Sequence, residues 1–210
     1  MPDVTEEIAS PAPTWTAKRR ERTRGRLLDA GSSLITEKGV AGLRIQEITQ
    51  RAEVALGSFY NHFATKEDLV DAVVQESLAS LANAVVGAAA EDDDAAVTVA
   101  TAVRRYVRLA IEDPDFARLV VNLSHSDTVV IQAAHDAAIS ALLRGIKAGR
   151  FQVEDTDQTL TAVVGGALAL MRGILDGRLD GDVDARFAEH VLRSLAVPVD
   201  EAHRLSRLPL

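Results

Sequence analysis

The chain has no cysteine, and its 210 residues include only two methionines, one tryptophan, two tyrosines, five phenylalanines and six prolines. Without cysteine there are no disulfides, no thiol chemistry and no thiolate metal ligands. Aromatic residues make up 4% of the chain, while Ala, Leu and Val dominate, a mixture that favours helix and gives little to a sheet. Also missing are a glycine-rich phosphate loop, an HExxH pair and a recognisably spaced Ser/His/Asp set, so nothing marks an enzyme. His125 and His135 lack metal-ligand spacing. No apolar run reads as long enough to cross a bilayer, and no charged-then-apolar leader is read. The expectation is a cytoplasmic protein without cofactor, metal or membrane partner.

The hydrophobic share of 47% suffices for a core, and the length fits one large or two small domains. The net charge of −8 argues at first against a nucleic-acid partner, but the charge is unevenly spread. Residues 16–70 hold ten Lys/Arg against seven Asp/Glu, whereas residues 71–210 hold thirteen against twenty-one. A basic head on an acidic body suits DNA, because the body is kept off the duplex. Lys18, Arg19, Arg20, Arg22, Arg24 and Arg26 form a dense cluster in front of that head. The cluster reads either as a solvated helix start or as an arm that touches phosphates or the minor groove.

Residues 44–63, RIQEITQRAEVALGSFYNHF, carry the strongest signal. They read as two short helices joined by a tight turn. Ile45, Ile48, Ala52, Val54 and Phe59 are spaced to pin both helices against a third. Gln46, Ser58, Tyr60, Asn61 and His62 are left to point outward. That is the pattern of a helix-turn-helix whose second helix enters a major groove. Residues 24–69 resemble the DNA-binding domain of the TetR family of transcriptional regulators. The likeness rests on Leu27-Leu28-Asp29-Ala30-Gly31, Lys38-Gly39-Val40, Ile48, Val54, the run Gly57–Phe63, and Lys66-Glu67-Asp68-Leu69. It covers under a quarter of the chain.

The resemblance implies an all-α homodimer, usually a repressor, that leaves a palindromic operator when a small ligand binds. It also implies a three-helix head and a larger helical ligand-binding and dimerisation body, about nine to ten helices in all. Tyr60, His62 and Lys66 match positions that touch phosphates. Gln46 matches a base-reading position, and glutamine can pair bidentately with adenine. Arg44 is expected to clamp a phosphate or meet guanine, Ser58 and Asn61 to reach the groove, and Ala55 or Leu56 to meet a thymine methyl. Glu53 stands where the family usually has Gly in the inter-helix turn, Thr49 where a small Ala is usual, and Ala55 offers no side-chain cap.

The organisation read from the sequence is a disordered tail over 1–17, a DNA-binding head over 18–65 and a body over 66–210. Helical spacing predicts helices near 20–38, 66–89, 95–112, 114–123, 127–149, 156–177 and 183–196, with a short one after Pro198. Thr65 and Asp68 are spaced as a capping box. The acidic run Glu91–Asp94 reads as a loop and N-cap, and the segment DGRLDGDVD lacks the Gly and Glu of a calcium loop. Helix eight is apolar nearly all round. The resemblance places a four-helix dimer seam on Gly165, Ala169 and Gly173 of that helix, with Phe187, Val191, Leu192 and Leu195 of the next. It places the pocket for an apolar small-molecule effector between helices four and eight. Candidate lining residues are Tyr106, Phe116, Leu119, Asn122, Leu123, His135 and Met171, with Asn122 and His125 as polar handles. Taken singly, each is equally an ordinary core or surface residue. Two same-fold alternatives stay open at this point: a regulator without a ligand, and a helical dimer that has lost DNA binding.

Overall fold

The structure, a computed structural model, describes residues 15–86, 94–124 and 128–210, with the side chains of 16–17, 82–86 and 128–137 left aside. Among the described residues the fold is all-α. The helices are α1 (Trp15–Lys38), α2 (Ile45–Arg51), α3 (Leu56–Tyr60), α4 (Lys66–Val86), α5 (Ala95–Glu112), α6 (Pro114–Leu123), α7 (Thr128–Lys147), α8 (Thr156–Leu175), α9 (Val183–Ser194) and α10 (Val199–Leu205). A single 3-10 turn, Val40–Gly42, links α1 to α2.

Local chemistry sets the boundaries. Gly39 adopts φ 74°, and its N–H donates to Ile35 O at 2.8 Å, closing α1. The Thr65 N–H donates to Asp68 Oδ2 at 2.9 Å and the Asp68 N–H to Thr65 Oγ1 at 3.1 Å, a reciprocal capping box that starts α4. Asp94 caps α5 through the Ala96 N–H, and Asp113 caps α6 with Pro114 at its first position. Residues 91–93 lie outside the described residues. α1 begins at Trp15, so residues 15–17 belong to a helix and not to the expected tail; residues 1–14 lie outside the described residues.

The head is built on one apolar cluster that joins Leu27, Leu34 and Ile35 of α1, Ile48 of α2, Phe59 of α3 and Leu69, Val73 and Val74 of α4. α1 and α4 approach so closely at Gly31 that a Cβ there would meet Leu69 Cδ2 at 2.6 Å. The cluster does not stop at the head. Leu119 and Leu123 of α6 are buried in it, and the Asn122 amide donates to the carbonyls of Ile35 (3.0 Å) and Thr36 (3.3 Å) at the end of α1. The other side of α6, Ala117 and Val121, packs with Leu81, Leu109, Ala110 and Met171 in the body. These contacts revise the expected pocket: Leu119, Asn122 and Leu123 serve the junction between head and body.

In the body, α5 packs against α8 and α9. Asp184, 4% exposed at the start of α9, accepts from Arg104 Nε at 3.1 Å; Arg104 also donates to the Leu208 carbonyl, tying the end of the chain to α5. Arg150 bridges Asp94 and Glu201, joining the starts of α5 and α10. Contrary to expectation, α8 is by length and composition apolar enough to cross a membrane, with only 22% of its apolar window buried. It packs here against α5, α6 and α7, and its apolar character is that of a helix only half covered by its own chain.

The turn between α2 and α3 holds Glu53 at φ 51°, a left-handed conformation that a Cβ disfavours by roughly 1 kcal/mol or more. Its carboxylate pairs with Arg26 at 2.9 Å, an exposed contact of small value. Glu53→Gly is therefore expected to stabilise the protein by about 0.5–1 kcal/mol in equilibrium denaturation. Unchanged or lower stability would mean that the ion pair outweighs the backbone strain.

Candidate nucleic-acid interface

α2, a turn over 52–55 and α3 form a helix-turn-helix. Its geometry follows from which side chains are drawn inward. Ile48 and Phe59 are fully buried, and Ala52 and Phe63 nearly so. Phe59 packs against the Phe63 ring at 5.7 Å and meets the Tyr60 ring edge-on at 5.5 Å. Thr49 is 5% exposed, and its hydroxyl donates back to Gln46 O at 3.0 Å, which makes this polar residue acceptable at the helix contact. The Val54 N–H donates to Thr49 O at 3.0 Å and locks the turn. Ala55 sits at the N-cap of α3 without a side-chain bond, as its chemistry dictates.

With those residues inside, the rest are turned out. Arg44, at the N-cap of α2, and Gln46, in its first turn, are exposed. Ala55, Leu56, Tyr60 and Asn61 are exposed, Leu56 at 46% and Tyr60 at 56%; Ser58, His62 and Lys66 are half-buried. Lys66 stands at the first position of α4, where uncompensated N–H groups favour an anion.

Charge on the head is partitioned. Arg26 pairs with Glu53, Lys38 with Glu47 at 2.5 Å, and Arg51 with Glu37. Arg24 lies over the Phe63 ring at 5.5 Å and reaches Glu76 at 3.6 Å. Among the described residues, Lys18, Arg22 and Arg44 have no ion-pair partner. Arg20 donates to the Asn61 carbonyl at 3.4 Å, just past the end of α3. Sequence reasoning did not find that link or the Arg24–Phe63 stack, because neither follows from periodicity. Burial, followed by the nearby charges of Arg20 and Arg24, holds the His62 pKa below its ordinary value, with Glu21 acting weakly the other way.

The remaining expected sites are dispersed. Tyr106, Phe116 and Met171 meet in the body cluster among α4, α5, α6 and α8, where burial pushes the Tyr106 hydroxyl pKa up. His125 lies outside the described residues, and of His135 only its place on α7 is described. Of the seam candidates, Gly165 has open space where a Cβ would go, and Ala169 is exposed. Gly173 is buried, with Leu179 2.5 Å from where its Cβ would be. Phe187 is half-buried against Gly166. Val191, Leu192 and Leu195 are at most 2% exposed within the chain's own core. Those three hold α9 to its own body, a correction to the seam expected of them. Two open grooves carry none of the expected pocket residues. One, of about 450 Å³, is lined by His190, Arg193, Ser194, Val197 and Val199, and the other, of about 300 Å³, by Arg26, Asp29, Ala30, Arg51 and Ala52.

Comparison with known proteins agrees with this arrangement. Residues 27–73 match "Bacterial regulatory proteins, tetR family", and residues 93–207 match "Tetracyclin repressor-like, C-terminal domain". The chain is 34% identical to the HTH-type transcriptional repressor DhaR of Mycobacterium sp. (strain GP1) over 46% of its own length, and spans about half of that relative, 47%. It is 27% identical to the regulator CymR of Pseudomonas putida, covering 70% of this chain and 68% of that one. The crystal structure of RolR with resorcinol is similar at 32% identity and TM-score 0.70, covering 92% of this chain and 97% of that one. The ligand-free RolR structure is similar at 30% identity and TM-score 0.72, covering 89% and 97%.

The lowered pKa of His62 has a definite sign. In the free protein the neutral form is favoured, so its contribution to stability is full above the unfolded value near about 6.5 and is lost as pH falls through the lower folded value. A DNA phosphate set against His62 would reverse this preference, and binding would then take up a proton. Affinity for duplex DNA is expected to rise several-fold as pH falls from about 8 to about 6. The rise should flatten in His62→Gln. Equal slopes in the two proteins, read by anisotropy, would exclude His62 from the phosphate contact.

Proposed function

Given that the chain belongs to the TetR family of bacterial transcriptional regulators, we propose that it is a homodimeric repressor that binds a palindromic operator and releases it when a small effector binds. The observation that carries the reading is the outward set Arg44, Gln46, Tyr60, Asn61, His62 and Lys66 on a helix-turn-helix whose inward set is buried. Tyr60, His62 and Lys66 hold phosphates and fix the register; Gln46 reads a base, with Arg44, Ser58 and Asn61 beside it; Ala55 or Leu56 meets a thymine methyl. Its place of action is the cytoplasm, where the duplex is.

One head makes too few contacts for tight binding. Two heads reading half-sites about 34 Å apart supply the rest. The support for a second copy is α8, whose window is only 22% buried and whose Gly165 and Ala169 leave room for close backbone approach. Phe187 packs against Gly166 of that helix, and His190 and Arg193 of α9 are exposed.

The support for an effector is RolR, which was solved with resorcinol, a small hydroxylated aromatic. Tyr106 is the polar handle this reading takes, since it is a hydroxyl-bearing side chain packed against the apolar cluster of Leu81, Leu109, Val121 and Met171. An effector must bind better to the arrangement whose heads are wrongly spaced for DNA, and α4 would carry the movement. A second reading, a regulator without an effector, gains from the engagement of Leu119, Asn122 and Leu123 in the head–body junction.

Selection of genomic fragments by the purified protein tests the function. One palindromic site should be enriched, with affinity falling as salt rises. Gln46→Ala should weaken that site by about 1–3 kcal/mol and relax the sequence at one position per half-site. Recovery of no fragment at low salt would remove the repressor reading. Small phenols should displace the recovered fragment from wild type and lose that effect in Tyr106→Phe; no displacement by any of them would favour the effector-free reading.

A further inference from the structure

Among the described side chains of α1 the first to be buried is Leu27, yet the helix begins at Trp15. Residues from Trp15 to Arg26 therefore form an overhang of roughly three turns, about 18 Å long. It carries six cations, Lys18, Arg19, Arg20, Arg22, Arg24 and Arg26, and one acid, Glu21. A helix this short, densely charged with one sign and scarcely packed, is marginal alone in water. Its contacts with the head are few: Arg20 on the Asn61 carbonyl, Arg24 on the Phe63 ring and Glu76, and Arg26, at its inner end, on Glu53. Asn61 and Phe63, met by Arg20 and Arg24, follow the end of the recognition element. Arg20 and Arg24 are also the charges that bear on His62.

Three facts converge. The overhang passes the end of α3 at Arg20, which donates to the Asn61 carbonyl, so it lies beside the helix-turn-helix. The head cations buttressing the helix-turn-helix are neutralised in pairs, whereas Lys18 and Arg22 have no partner among the described residues and Arg20 meets only a carbonyl. Trp15, 73% exposed, lies at the tip with the Arg19 guanidinium over its ring at 5.7 Å. We propose that the overhang of α1 is a second DNA-binding element, which grips the sugar–phosphate backbone beside each half-site through Lys18, Arg20 and Arg22. The ligand is the polyanionic backbone and not the bases, because the free groups are flexible cations spread around the helix rather than a fixed polar set.

The proposal rests on the DNA-binding reading of the head, and the test separates the two. Wild type and the triple variant Lys18→Gln, Arg20→Gln, Arg22→Gln are titrated with a random-sequence duplex of about 40 base pairs between roughly 50 and 200 mM salt. Each phosphate left without its cation should reduce the slope of log affinity against log salt by about 0.9, so the variant should be shallower by roughly two to three. Its melting temperature should match wild type, since these side chains are exposed. Equal slopes would overturn the second element and leave the head intact; a wild type that retains no duplex would remove both readings. Should the variant fail to fold, Trp15 decides with unmodified protein. As the sole tryptophan in the chain, its fluorescence should change and become shielded from acrylamide when duplex is added. Unaltered emission and quenching on saturation would overturn the proposal.

Discussion

One short helix is buried on two sides, and the arrangement of the whole molecule depends on it. α6 sends Leu119 and Leu123 into the core of the helix-turn-helix head and Ala117 and Val121 into the body beside Met171. Between them, Asn122 donates to the Ile35 and Thr36 carbonyls at the end of α1, the first of which also accepts the Gly39 N–H. Head and body therefore share packing and hydrogen bonds, beyond their covalent connection through α4. Close-packed cores do not deform smoothly, so a rearrangement around α6 in the body is felt at the end of α1.

That constraint gives the proposed release by an effector a physical route in this chain. Tyr106, Met171 and Phe116 lie on the body side of α6, and Phe116 also touches the head cluster. The DNA side is arranged differently. There the helices are held by apolar burial and by ion pairs, and Arg44, Gln46 and Asn61 stand exposed on the outer side. Buried and exposed residues thus fall on opposite sides of the same two helices. The strained turn at Glu53 and the uncapped start at Ala55 lower the stability of the head without touching the outward set.

The parts legible in the sequence are those set by neighbours along the chain. Thr65 with Asp68, Pro114 after Asp113, and Gly39 after Lys38 are local signals, and the helix limits from α4 to α10 follow them closely. The inward and outward division of α2 and α3 is equally readable, since one apolar stripe leaves no choice of face. Illegible parts depend on which of two surfaces covers a stripe. Val191, Leu192 and Leu195 have the same spacing whether they face their own core or a second chain, and the structure gives them to the core. Gly165, Ala169 and Gly173 look collinear at intervals of four, but each step drifts by about 40°, so the last turns toward Leu179. The start of α1 is hidden because Trp15 to Arg26 has no apolar period to announce a helix. The role of Asn122 is equally hidden, because its partners are carbonyls more than eighty residues away.

Native-state hydrogen exchange on Leu123→Ala reads out whether head and body are joined through α6. Removing that side chain should cost about 2–5 kcal/mol. If the core is shared, amides near Ile35 in α1 and Val73 in α4 should lose protection together with those of α6, by similar amounts. Loss confined to α6, with the α1 and α4 amides unchanged, would contradict the account and leave the head an independent unit.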